Sequence, residues 1–180
     1  MHVFVSRIAL SLLGLALAAS AQATTTVTGQ ISANLTLTSA CQVNGAGTGA
    51  GTGINFGTLS FGTATSLFTE ADGQVLGGGG GALSILCSSG TTPSVTVSAG
   101  SHDGLSTGGT RALADGAGNF VPYDLYTDSG HTTLLAIGGV INLAASTGVA
   151  QTVNIYGKAV GKAGLPAGTY TDTVTVSLTF

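Results

Sequence analysis

Beyond its first 23 residues this chain carries apolar side chains at every second position, in run after run, and nowhere repeats them every three or four residues. The runs lie at residues 25–38, 54–61, 83–87, 95–99, 121–127, 153–155 and 170–180. A period of two sends alternate side chains to opposite faces of an extended backbone, so each run reads as a strand with one face to be covered. Clusters of Gly, Ser, Thr, Asn and Asp separate the runs and mark turns. The expectation is an all-β chain of short strands, a sandwich or a barrel. Most of the 30 glycines fall in loops, notably 45–53 and 77–81, where a positive φ costs glycine nothing.

The two outermost runs are the most unusual. In residues 25–38, Val27, Gly29, Ile31, Ala33, Leu35 and Leu37 share one face and Thr, Gln, Ser and Asn the other, with no charge at all. In the last run Tyr170, Val174, Val176, Leu178 and Phe180 share a face, and no charge follows Asp172. Exposed strand edges are normally blunted by Lys, Pro or bulges because bare edges recruit other chains. Neither terminal run carries such a device, and both are read as built for pairing.

Residues 1–23 have the anatomy of a secretory leader: Arg7, an apolar stretch from Ile8 to Ala19, and small residues at Ala21 and Ala23 before the cut. The apolar stretch is shorter than the roughly 18 to 20 residues of a membrane span, so no transmembrane segment is expected in the mature chain. Removing 23 of 180 residues leaves 157, enough for one domain, and loss of Arg7 takes the formal net charge from −3 to −4. Only 6% of residues are charged, against about a quarter in ordinary domains. Nucleic-acid binding, which needs clustered Lys and Arg, is thereby excluded. A Thr, Ser, Gly and Ala surface suits a protein packed against copies of itself. Cys41 and Cys87, in an exported chain, are expected to form one disulfide.

Catalytic patterns are missing. His102 and His131 stand singly in polar loops and read as solvated, without a second ligand at metal spacing. Asp124 and Asp128 would face one side of a strand about 13 Å apart, too far for a retaining carboxylate pair, and Asp128 reads as a loop cap. The glycines at 77–81 lack the GK[ST] ending of a phosphate loop and read as a hairpin loop. No serine sits in a GxSxG elbow. An enzyme is not expected, nor a cofactor or metal.

A set of ordered motifs adds a family. VTGQI and NLTLTSAC near the mature start, NFGTLSFG at residues 55–62, LSILC ending at Cys87, VTVSAG at 95–100, RAL at 111–113, YDLYTD at 123–128, IYGK at 155–158 and the closing GTYTDTVTVSLTF resemble the spore coat protein U domain family. Within it the chain is most similar to the major rod pilin of Csu-type, or archaic, chaperone-usher pili. The resemblance implies an incomplete immunoglobulin-like β-sandwich lacking its final strand, with an N-terminal donor-strand extension. It implies a periplasmic chaperone that lends the missing strand, an outer-membrane usher, and a head-to-tail polymer of copies and related subunits in which a neighbour's extension replaces the lent strand. The destination would be the cell surface, reached through the periplasm, and the role attachment and biofilm formation.

Residue assignments follow from that resemblance and the alternation. The expected organisation is a leader at 1–23, a donor strand at 24–33 and a pilin domain at 34–180. Val27, Gly29, Ile31 and Ala33 are the expected donor residues, and Leu35 and Leu37 are assigned to the subunit's own first strand, which runs into Cys41. Val174, Val176, Leu178 and Phe180 are assigned to the acceptor groove and chaperone contact, with the C-terminal carboxylate held by the chaperone's basic side chains. Two other readings predict different behaviour. A self-sufficient secreted sandwich or binding module would be a stable monomer, and a spore or cyst coat protein would use the same polymer chemistry elsewhere.

Overall fold

The computed structural model describes residues 24–48 and 53–180; the expected leader at 1–23 and residues 49–52 of the first glycine-rich loop lie outside that range. The chain divides into two units, Met1–Thr36 and Leu37–Phe180. In the first, residues 24–36 are exposed and join no strand. The second is an immunoglobulin-like β-sandwich, and no helix occurs among the described residues.

One sheet runs in the order β3 (Thr58–Leu59), β4 (Glu70–Leu76), β11 (Tyr156–Val160), β8 (Phe120–Tyr126), β7 (Arg111–Ala114), all antiparallel. Pro122 has no N–H to donate, and it falls just past Tyr123, the last β8 residue paired with β11. The other sheets are organised around two strands in succession, β5 (Leu83–Cys87) and β6 (Ser94–Gly100). On one side β9 (Gly139–Asn142) pairs with β6 and β10 (Gln151–Val153) with β5. Backbone bonds from Leu143 to Pro93 and between Ser146 and Thr91 carry this pairing across the gap. On the opposite side β1 (Cys41–Val43) pairs with β5 and β12 (Val174–Thr179) with β6.

Alternation places the core. Leu83, Ile85, Val95, Val97, Val121, Leu125 and Val153 are buried among the facing sheets, the arrangement that period-two patterning requires of a two-layer fold. Cys41 and Cys87 are directly paired across β1 and β5 and form the expected disulfide. With a sequence separation of 46, loop closure of this size is worth about 4 kcal/mol. β1 returns as β2 (Ala46–Gly47) through Asn44 and Gly45, with φ of 52° and 81°, the pair of positive values that a type I′ hairpin turn needs. Residues 77–81 form the short loop between β4 and β5, closed by the Gly77 N–H donating to the Gly81 carbonyl at 2.7 Å.

The strand expected over residues 25–38 does not form. The first strand begins at Cys41, and Leu35 and Leu37, assigned to the chain's own core, are each 82% exposed. The reason lies in β5: past Cys87 the chain turns, with the Ser88 amide donating to the Ala40 carbonyl and the Ala40 amide to Ser88 Oγ. Six residues on, that same side is taken by β12, whose Thr179 pairs with Ser94. Residues before Ala40 therefore find no ladder to join.

Candidate functional site

An open apolar groove lies beside β12. β12 is hydrogen-bonded to β6 along one edge, and its other edge has no strand partner among the described residues. Val174, Val176 and Leu178 are half-buried on one face of β12, whereas Thr175, Ser177 and Thr179 are exposed on the other. Opposite lies the segment 54–61. Between the two walls is a cavity of about 540 Å³, floored by Leu83, Val97, Leu125 and Ile155. A second cavity of about 660 Å³ continues it between residues 58–68 and 165–172. The two share Thr58, Leu59, Phe61, Leu113 and Asp172.

Two glycines make room for the wall. Gly73 of β4 and Gly157 of β11 are directly paired. A Cβ on Gly157 would overlap Leu59 and crowd Phe61, and one on Gly73 would overlap the Ser60 carbonyl. The wall thus lies close over the strand pair at the one point where both strands carry glycine. Phe61 then reaches the ring of Tyr123 edge-on at 5.8 Å between centroids, a favoured aromatic geometry.

A buried polar cluster fixes the start of β12. The Asp172 side chain, 1% exposed, accepts from Tyr123 Oη at 2.8 Å, the Ser101 amide at 2.9 Å and His102 Nδ1 at 3.0 Å. Burial first, and then the adjacent Asp172 carboxylate, push the Tyr123 phenol well above its ordinary range and hold it protonated as a donor. Asp103 accepts from the Gly100 amide, and a Cβ on Gly100 would overlap Asp172. Arg111, fully buried, donates to the Ser98 carbonyl at 3.0 Å. His102 is therefore not the solvated loop residue that its setting predicts. Nor is His131, whose side chain is 14% exposed and packs edge-on against Tyr126. Both loops fold back onto the sheets, which isolated polar flanks do not reveal.

Residues 25–177 match the family described as the Spore Coat Protein U domain. The chain belongs to that family. No curated protein matches this Spore Coat Protein U domain significantly. Among solved structures it is similar to a chain in the CsuC-CsuE chaperone-tip adhesion subunit pre-assembly complex from archaic chaperone-usher Csu pili of Acinetobacter baumannii. The identity is 23% and the TM-score 0.48, over 81% of this chain and 40% of that one.

The residues singled out in the sequence fall in two places in this Spore Coat Protein U domain. Val174, Val176 and Leu178 line up on the groove side of β12, and Phe180 follows at its end, 46% exposed. Val27, Gly29, Ile31 and Ala33 lie in the exposed N-terminal segment. Asp128 caps its loop, accepting from the Thr132 and Thr133 amides, which lowers its carboxyl to about 2. Asp124 accepts from the Thr110 amide and hydroxyl. The 54–61 wall and the Asp172 cluster were not foreseen as site elements. The signal for the first was NFGTLSFG, a run whose glycines break an otherwise apolar alternation. Among the described residues no group of three or more His, Cys, Asp or Glu could hold a metal, and no helix is long and apolar enough to cross a membrane.

Proposed function

We propose that this chain is the structural subunit of a surface pilus assembled by the chaperone-usher pathway, through donor-strand complementation and exchange. The observation that carries the reading is the apolar groove beside the unpaired edge of β12, in a chain whose own N-terminal segment is exposed, alternating and uncharged. A strand laid along β12 would gain backbone hydrogen bonds of about 1 kcal/mol net each, while alternate side chains fill the groove. Val27, Ile31 and Ala33 are the fillers and Gly29 the position needing a small residue; Val174, Val176, Leu178 and Phe180 form the receiving edge. A periplasmic chaperone fills the groove first, with its basic side chains on the C-terminal carboxylate. At an outer-membrane usher the next subunit's residues 24–33 replace it. The contact is heterologous and open, so it propagates as a fibre, which supports attachment and biofilm formation at the cell surface. No catalytic step enters this role.

Deleting residues 24–33 tests the reading. The variant is expected to be captured by its chaperone yet unable to extend a fibre, and fibres of normal length would refute the donor assignment. The family's own description favours a second location, a spore or cyst coat, with the same joint between subunits. Immunogold labelling of cells against spores separates the two.

A further inference from the structure

Resting on the strand-donation reading above, we propose that the donated segment extends through Leu37, so that Leu35 and Leu37 enter the neighbouring copy's groove, and only Thr38, Ser39 and Ala40 link the joint to the subunit body. Three observations lead there. Leu35 and Leu37 continue the alternation of Val27 to Ala33 without a break, and both are 82% exposed. Their own sheet has no place for them, because the ladder to β5 ends at Ala40 and Ser88, and the same side farther along is taken by β12.

The groove also has the length. Its two connected cavities run between walls 54–68 and 165–176, and the second extends past Asp172 to Tyr170 and Leu165. Filling one cavity would leave the other open to water. Eleven residues from Val27 to Leu37 span about 36 Å at 3.3 Å per residue, comparable with the twelve consecutive residues 165–176 that line one wall of the two cavities. Polarity agrees: residues 25–40 carry no charge, and Asp172, the one ionisable carboxylate lining both cavities, is buried and already hydrogen-bonded within its own subunit. A linker of three residues reaches about 10 Å when extended, so consecutive subunits would sit nearly in contact and the fibre joint would be stiff.

The test compares four full-length variants: Leu35→Asp, Leu37→Asp, Ile31→Asp and, on the opposite face, Thr36→Asp. The readouts are the dissociation rate of detergent-resistant multimers and the thermal midpoint of the monomer. Each leucine variant is expected to dissociate about tenfold faster or more, with Thr36→Asp near wild type and the monomer midpoint unchanged. Wild-type multimers from both leucine variants, with Ile31→Asp failing to assemble, would overturn the extension and leave the donor reading standing. Normal multimers from Ile31→Asp would instead overturn the donor reading. A lowered monomer midpoint in Leu35→Asp or Leu37→Asp would place those side chains on the subunit's own core and overturn the extension as well.

Discussion

At the residue scale the fold turns on a few buried polar and covalent contacts rather than on surface charge. Asp172 gathers Tyr123, His102 and the Ser101 amide at the point where the chain passes into β12. Asp172→Ala would leave a buried phenol without its acceptor, and a loss of about 1 to 3 kcal/mol is expected in denaturant unfolding. Removing the disulfide by Cys41→Ala should cost about 4 kcal/mol, read as a lower midpoint that reductant no longer changes. Asp128 supplies a pH signature. Its carboxyl sits at about 2 when folded, below its ordinary 3.8, so its contribution is present above pH 4 and lost as pH falls through 2. Acid titration of Asp128→Asn should lack that part of the decline. The cap was legible in the sequence, since Asp before Ser-Gly is a local pattern. The pairing of His102 with Asp172 was not, because it joins residues 70 positions apart.

At the element scale, strands that bury plain aliphatic faces were legible and those that bury glycine were not. β5, β6 and β8 lie within a residue of the runs at 83–87, 95–99 and 121–127. β4 and β11 escape the alternation because Gly73 and Gly157 occupy positions where the segment 59–61 lies against the strands. For the same reason the run at 54–61 yields only the two-residue β3: it serves as a wall, and Ile54, Phe56 and Phe61 pack against the core outside any ladder while Leu59 pairs with Val75. β7 was hidden by Arg111, a charged residue on a buried position. Gly157→Val should push this wall outward, destabilise the subunit by about 1 to 3 kcal/mol and weaken strand capture. Unfolding and multimer assays together check it.

At the scale of the whole molecule, the chain has an apolar groove that its described residues leave open and an apolar segment that its own sheets leave unpaired. Sequence alternation revealed the need for cover at both ends, but which residues stay outside the subunit depends on how β1 and β12 share one side of the β5 and β6 strands. That arrangement is fixed by long-range pairing. The central claim is that a neighbouring copy's N-terminal segment becomes the strand beside β12. Amide hydrogen exchange across Val174–Thr179, comparing assembled multimers with monomer lacking residues 24–33, tests it most directly. The account predicts that the alternate amides facing away from β6, free in the monomer, become strongly protected on assembly. Equal exchange of those amides in the two states would contradict it.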